Sequence, residues 1–157
     1  MISLCINERD YQYEGDERRP LSDVLRNDFN LTGTKVVCQE GFCGSCLIYI
    51  NNIPVLSCLK PVGLASGSKI TTIEGVGNID SLNVVQQAFE ELDVVQCGMC
   101  FPGMVMKLTH FLHENKKPDR KDIKDALIGN LCRCTGYERI IDAVIYAAEK
   151  GICKDEK

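Results

Sequence analysis

The sequence predicts an α+β chain of two small domains, with a sheet and one helix over residues 1–76 and four helices over residues 77–157. Three observations support this division. Strand-like runs occupy the chain up to residue 74, apolar residues recur with a helical period from residue 84 onward, and two glycines at 75 and 77 separate the patterns. Each half also carries four grouped cysteines. Because domains of this size have thin cores, cysteine-based staples are expected.

The first half shows a strand pattern with one helix signal. Short β-rich runs are bounded by polar or turn-forming residues, and they lie at residues 2–6, 11–14, 47–50, 53–55 and 69–74. Pro20 followed by Ser22 and Asp23 favours a short helix that begins near residue 21 and ends before Asn30. These elements together predict a small sheet covered by one helix.

The second half contains four helical stripes. They run from residue 81 to 92, from 102 to 112, from 119 to 127 and from 138 to 148. Asp80 or Ser81 is the expected cap of the first helix, Pro102 suits the first turn of the second, and Asp119 can cap the third. Gly151 follows the fourth helix, where a terminating glycine is common. The four stripes predict a compact four-helix bundle.

Composition excludes several classes of function. The formal charge is −4, and no basic stretch is interleaved with aromatic residues, which argues against nucleic-acid binding. No apolar run approaches 18 residues and no charged start precedes an apolar segment, so neither a membrane span nor a signal peptide is expected. The sequence therefore predicts a cytoplasmic protein, in which grouped thiols bind metal more often than they form disulfides.

The first cysteine group has an iron–sulfur spacing. Three cysteines separated by four and two residues, with a distant fourth, are typical of a plant-type [2Fe-2S] site, and here they are Cys38, Cys43, Cys46 and Cys58. Gly41 and Gly44 allow the loop to adopt positive φ angles and to point backbone N–H groups at the cluster. Structural zinc is the alternative, although zinc ribbons usually pair two short CxxC knuckles.

The second cysteine group lies in two loops of the helical half. It consists of Cys97, Cys100, Cys132 and Cys134. In an antiparallel bundle the two loops can meet at one end, and helix N-termini near Pro102 and Tyr137 would stabilise thiolates there. Tetrahedral zinc is a more serious alternative for this group, because four cysteines alone also suit zinc.

The remaining reactive side chains predict no further site. Cys5 is interpreted as a half-buried strand residue and Cys153 as a tail thiol. His110 and His113 could share a helix face for a metal, but a solvated face is the preferred interpretation. Since the sequence has no Ser/His/Asp arrangement, GxGxxG motif or P-loop, it predicts no catalytic residue of its own.

Three motifs resemble a known family. They are residues 32–35 (TGTK) leading to the first cysteine, residues 96–103 (QCGMCFPG) and residues 129–137 (GNLCRCTGY). They are similar to the small iron–sulfur subunit of the xanthine dehydrogenase, or molybdenum hydroxylase, family, and the resemblance extends over roughly residues 2–150. It implies an N-terminal β-grasp, plant-type ferredoxin-like domain and a C-terminal four-helix domain, each with one [2Fe-2S] cluster.

The resemblance also implies partners and an order of electron transfer. A large subunit would carry molybdopterin and a medium subunit FAD, so this chain would belong to a molybdenum-dependent oxidoreductase whose catalytic site lies on a partner. Gln96 and Cys134 would face the pterin, with the second group holding the cluster nearest molybdenum and the first group the cluster nearest flavin. The substrate stays open, with a preference for purines or other N-heterocycles because they are common in the family.

Four positions depart from the family pattern. Val37 replaces a glycine, Ser45 and Leu47 replace the alanine and the threonine of an Ala-Cys-Thr motif, and Phe101 replaces a threonine. All eight cysteines are retained, so these changes bear on the cluster surroundings and potentials. Two other functions stay open at this point. A free-standing ferredoxin would leave the helical half unexplained, and a structural zinc protein would be colourless.

Overall fold

The computed structural model describes residues 1–78 and 80–150, so the predictions for Gly151 and Cys153 lie outside the described residues. Its sheet half contains β1 (Ile2–Ile6), β2 (Arg9–Tyr13), α1 (Leu21–Asn27), β3 (Leu47–Ile50), β4 (Ile53–Leu56) and β5 (Lys69–Thr71). Its helical half contains α2 (Val84–Glu91), α3 (Phe101–Glu114), α4 (Arg120–Ala126) and α5 (Glu138–Glu149). The described residues therefore form a mixed sheet and five α-helices.

The five strands form one mixed sheet in the order β2-β1-β5-β3-β4. β1 and β5 run parallel at its centre, and the other neighbouring strands are antiparallel. The β1–β2 turn is Asn7-Glu8, and both residues have positive φ angles. β2 consequently begins at Arg9, two residues before the predicted start at residue 11. A second tight turn, Asn51-Asn52, joins β3 to β4, and both of its residues also have positive φ angles. Two tight turns and the parallel pairing of β1 with β5 therefore organise the sheet.

Two separate cores fill the two halves. In the sheet half, buried residues of β1, β3 and β5 pack against α1, including Leu4, Ile48, Ile70 and Leu25. In the helical half, buried residues from all four helices pack together around Phe89. α5 contacts α2 and α4, whereas α3 also packs against β3 and β4. α3 is therefore the helix that joins the two halves.

Two element boundaries differ from the predictions. The predicted cap of α2 at Asp80 or Ser81 is wrong, because Asn83 caps this helix through a reciprocal pair of hydrogen bonds with Gln86. The predicted strand over residues 69–74 ends at Thr71 and continues as a 3-10 turn at Ile73–Gly75. There Thr72 N donates to Asn7 Oδ1 at 2.9 Å, so a side chain replaces the strand partner.

Other predicted boundaries are confirmed. Asp119 caps α4 in a capping box with Asp122, and Pro102 lies in the first turn of α3. α5 begins at Glu138 as predicted. Within residues 1–78 and 80–150, no helix has both the length and the apolar character needed to cross a lipid bilayer.

Candidate metal centres

The first cysteine group lies at one end of the sheet. Its loop connects α1 to β3, and the fourth cysteine lies in the 3-10 turn Ser57–Leu59 that follows β4. Cys43, Cys46 and Cys58 are at most 8% exposed, and Cys38 is half-buried. Three of the four thiols are therefore held inside the protein, with Cys38 at the margin.

Two glycines shape this loop. Gly41 has φ +82° and Gly44 has φ +70°, a region that side chains with a Cβ rarely adopt. A Cβ on Gly41 would lie 2.6 Å from the Leu59 side chain, and one on Gly44 would lie 2.5 Å from the carbonyl oxygen of Gly129. Both glycines are thus required by backbone conformation and by close packing.

Backbone N–H groups in this loop point at sulfur. Glu40 N donates to Cys38 Sγ at 3.4 Å, and this bond is the main reason that the pKa of Cys38 falls to about 6. Burial raises the pKa of Cys58 to about 11, and its thiol also donates to Cys46. The Cys43 thiol donates to Cys38. The four thiols therefore form two interacting pairs, Cys38 with Cys43 and Cys46 with Cys58.

The second cysteine group lines a shallow cleft in the helical half. All four of its members border this cleft, namely Cys97, Cys100, Cys132 and Cys134. Cys100 is the N-cap residue of α3, and the last two lie between α4 and α5. Phe101 also lines the cleft, and the centroid of its ring lies 5.6 Å from that of Phe89. The predicted meeting of the two loops is confirmed.

The second group combines buried and exposed thiols. Cys97 and Cys134 are exposed, whereas Cys100 and Cys132 are half-buried. Burial raises the pKa of Cys100 to about 12, and its thiol donates to Cys132. The thiol of Cys134 donates to Cys97, and the N–H of Met99 is the main cause of the lowered pKa of Cys97. These thiols too are paired two by two.

Thr135 supports the Cys132 sulfur from two directions. Its hydroxyl donates to Cys132 Sγ at 3.1 Å, and its backbone N–H donates at 3.4 Å. Burial opposes the thiolate of Cys132, but these hydrogen bonds outweigh it and lower the pKa. The sulfur therefore lies in surroundings that favour a negatively charged ligand.

Tyr137 fixes the loop that carries Cys132. Tyr137 has φ +69° and precedes α5 as its N-cap. Its hydroxyl accepts a hydrogen bond from Cys132 N at 2.8 Å and donates to Asn130 O at 3.4 Å. Sequence reasoning placed Tyr137 only at a helix start. Its position three residues after Cys134 was the only signal of a role at the site. The neighbouring sequence does not show that its hydroxyl bonds to the backbone of the loop before it.

The two cysteine loops touch each other. Leu131 N donates to Cys43 O at 2.9 Å, and the buried Asn130 Nδ2 donates to Gly44 O at 3.4 Å. Leu131 precedes a member of the second group, and Cys43 belongs to the first. One backbone hydrogen bond therefore joins the segments that carry the two groups.

Comparisons with known proteins place the chain in a family. Residues 5–65 match the 2Fe-2S iron-sulfur cluster binding domain, and residues 72–145 match the [2Fe-2S] binding domain. The nicotinate dehydrogenase small FeS subunit of Eubacterium barkeri is 42% identical over 95% of this chain and 95% of its own length. A probable xanthine dehydrogenase subunit of Bacillus subtilis is 42% identical over 88% of this chain and 79% of its own length.

A solved structure agrees in fold and sequence. The crystal structure of quinoline 2-oxidoreductase from Pseudomonas putida 86 matches with a TM-score of 0.87 and 42% identity, over 96% of each chain. This chain belongs to the small iron–sulfur subunits of the molybdenum hydroxylases. Its sheet half is the ferredoxin-like domain of that family. The cofactors of such a subunit are [2Fe-2S] clusters, one for each matched domain.

The donor set fits these clusters. A [2Fe-2S] cluster takes four thiolates, two on each iron, and each group in this iron–sulfur subunit supplies two interacting thiol pairs. Among residues 1–78 and 80–150, no three His, Cys, Asp or Glu side chains are arranged to hold a single metal ion. The N–H and O–H donors at Cys38 and Cys132 suit sulfur atoms that carry negative charge.

The other predicted residues lie as follows in this subunit. Gln96 and Cys134 are both exposed and both border the cleft of the second group. Cys5 is half-buried in β1, as expected of a strand residue. His113 is exposed, while His110 is half-buried with its ring 5.9 Å from that of Tyr49. His110 Nε2 lies 3.6 Å from a Glu114 carboxylate oxygen.

Proposed function

We propose that this chain transfers electrons within a multi-subunit molybdenum hydroxylase. Electrons would leave a molybdopterin centre on a large subunit and pass through the two clusters of this chain to FAD or another acceptor on a medium subunit. The observation that carries the proposal is the direct contact of the two cysteine loops through Leu131 and Cys43, 2.9 Å from N to O. Two clusters held by touching loops form a short route for single electrons.

We assign each cluster to one cysteine group. The first group would hold one cluster through Cys38, Cys43, Cys46 and Cys58, whose thiols interact with one another. The second cluster would be held by Cys97, Cys100, Cys132 and Cys134, which border one cleft. The clusters supply reversible one-electron reduction.

The remaining residues position ligands and control access. Thr135 and the N–H of Glu40 stabilise negative charge on sulfur, and Phe101 limits entry of water to the cleft of the second group. The exposed side chains of Gln96 and Cys134 are the proposed contacts with the pterin, because they stand at the open edge of that cleft.

We further propose that a boundary near residue 76 divides a ferredoxin-like domain, residues 1–76, from a helical domain, residues 77–157. The four helices α2 to α5, which share one core, would form the four-helix bundle of the second domain. A cytoplasmic location also belongs to this proposal, since the nine described cysteines are all free thiols.

An N-heterocycle is the proposed substrate class of the assembled enzyme. The support is that similar subunits are named for nicotinate and xanthine dehydrogenases, and the similar structure for quinoline. The purified complex should oxidise xanthine or nicotinate faster than benzaldehyde with an artificial electron acceptor. Faster oxidation of benzaldehyde would contradict the substrate class without affecting the electron-transfer role.

Metal analysis of the anaerobically purified complex tests the central proposal. A red-brown protein with about four iron and four sulfide for each copy of this chain is expected, with two distinct EPR signals after reduction. Larger subunits that carry molybdopterin and FAD should copurify. Stoichiometric zinc in both sites would show a structural role instead. A fully loaded chain that purifies alone and exchanges electrons freely would indicate a free-standing ferredoxin.

A further inference from the structure

We propose that the two sites load their clusters cooperatively, because the backbone of the first cysteine loop forms part of the wall on which the second site is built. This inference rests on the proposed function, since it requires a [2Fe-2S] cluster in each group. The shared wall is the segment Cys43–Ser45, named here the shared segment. Both parts of the chain that carry half-buried ligands of the second group pack against it.

Helix α3 contacts the shared segment through a glycine. Gly103 lies three residues after Cys100, and a Cβ on Gly103 would lie 2.1 Å from Gly44 O and 2.9 Å from Ser45 Cα. Both of those atoms belong to the backbone and cannot rotate away. The N-terminal turn of α3, which carries Cys100, therefore rests directly on the first cysteine loop, and only glycine permits this approach.

The loop before Cys132 contacts the same segment by hydrogen bonds. Leu131 N donates to Cys43 O at 2.9 Å, and Asn130 Nδ2 donates to Gly44 O at 3.4 Å. Asn130 is only 3% exposed. The hydroxyl of Tyr137 bridges Cys132 N and Asn130 O, so the position of Asn130 is passed on to the ligand. The first cysteine loop thus sets the position of Cys132 as well as Cys100.

Coupled loading follows from these contacts. When a metal site is not fully formed before binding, part of the free energy of binding orders the ligand loops. A cluster in the first group would order the shared segment. It would therefore lower the free energy that is needed to order the ligand loops of the second group. Coupling of this kind is reciprocal, so a cluster in the second group raises the affinity of the first by the same factor.

The loading reaction needs no change of oxidation state. Two ferric ions and two sulfide ions combine with four cysteine thiols to give one oxidised cluster, and the four thiol protons pass to the buffer. Ferric iron and sulfide are therefore the reagents of the test. The full chain is used throughout, and native mass spectrometry counts the molecules that hold no cluster, one cluster or two.

Loading with less iron and sulfide than the sites require gives the decisive measurement. EPR of the same samples, after reduction, divides the singly loaded molecules into those with the first site filled and those with the second site filled. The product of empty and doubly loaded molecules, divided by the product of these two singly loaded forms, depends on the coupling alone and rises with it. We expect this ratio to fall at least about fivefold in Gly103→Ala, which separates α3 from the shared segment. Gly15→Ala is the matched control, since its Cβ would lie 2.2 Å from Tyr13 Oη, away from both groups. Its ratio should equal that of the wild type.

A second variant tests the same contact if Gly103→Ala fails to fold. Asn130→Ala adds no volume and removes the bond to Gly44 O, and it should lower the ratio in the same direction by a smaller factor. An unchanged ratio in Asn130→Ala, or in a folded Gly103→Ala, overturns cooperative loading while the electron-transfer role stands. A wild-type chain that takes up no cluster in either group overturns the proposed function itself.

Discussion

The two cysteine groups differ in how the protein surrounds them. Three thiols of the first group are buried, and its sulfur atoms receive hydrogen bonds mainly from the backbone. In the second group Cys97 and Cys134 are exposed, and the hydroxyl of Thr135 adds a side-chain donor to Cys132 Sγ beside the backbone N–H groups of Met99 and Thr135. Backbone donors depend on the fold, whereas side-chain donors can be changed one at a time. Substitutions should therefore tune the second site more readily than the first.

Removal of one ligand from each group is expected to give the largest effect. Cys58→Ser and Cys134→Ser should each lower the iron content from about four to about two atoms for each chain. Cys58→Ser should also destabilise the chain more, because it leaves a hydroxyl in a site that is 8% exposed. Iron and sulfide analysis, EPR and urea unfolding provide the measurements. Four retained iron atoms in either variant would contradict the ligand assignment.

The contact between the two halves should depend on Tyr49. Its hydroxyl donates to Met106 O, across the packing of β3 on α3, and Tyr49→Phe should cost about 1–2 kcal/mol in the free energy of unfolding. Tyr146→Phe is the control, since that hydroxyl bonds to exposed Glu91. Urea titration checks both variants. Equal losses of unfolding free energy in the two variants would show that the buried Tyr49 bond stabilises the chain no more than the exposed Tyr146 bond.

The same tyrosine predicts a pH dependence. Burial raises the pKa of Tyr49 above its usual value of 10.0. The neutral form is thus favoured in the folded state, so this contribution to stability is present below about pH 10 and is lost as pH rises further. Wild type should lose stability between pH 9 and pH 11 more steeply than Tyr49→Phe, a range stated roughly around that pKa. Parallel pH profiles would contradict this.

Phe101 is expected to affect the potential of the second cluster. Its ring lines the cleft, and Phe101→Thr would admit water next to Cys100. Because reduction adds negative charge, better solvation should raise the potential by about 50 mV, which is about 1 kcal/mol for one electron. Potentiometric EPR measures both clusters in one sample, and the first cluster serves as the control. No shift would remove water exclusion as the role of Phe101.

Thr135→Val should change the same potential in the opposite direction. The variant loses the hydroxyl that donates to Cys132 Sγ at 3.1 Å but keeps the side-chain volume. A lost donor disfavours the more negative reduced state, so the potential should fall by about 40 mV. The double variant with Phe101→Thr should lie between the singles. A rise in Thr135→Val would contradict the assigned hydrogen bond.

The smallest effect is expected for the ion pairs between α4 and α5. Arg120 pairs with Glu138 and Asp142, and all three side chains are more than 40% exposed. Exposed pairs contribute little, so Arg120→Ala should cost at most about 1 kcal/mol and leave both clusters unchanged. Urea unfolding in low and high salt is the measurement. A larger loss would mean that the pairing of α4 with α5 depends on charge.

Local sequence patterns determined most of the elements and both cysteine groups. Strand runs, apolar stripes and the Asp119 cap depend on residues within a few positions of one another, and these predictions are confirmed. The cap of α2 was missed because several polar residues precede that helix, and only Asn83 exchanges hydrogen bonds with Gln86. The spacing of the first cysteine group likewise reflects a single loop, which a short stretch of sequence can specify.

The tertiary structure alone decided which thiols pair and how the two loops meet. The contact of Gly103 with Gly44 joins residues 59 positions apart in the chain, and the bond from Leu131 to Cys43 joins residues 88 positions apart. Such contacts depend on the packing of α3 against the sheet, and no local periodicity records that packing. The sequence by itself therefore determined the proposed ligands, and the folded chain determined their arrangement, because burial and close approach are properties of the whole molecule.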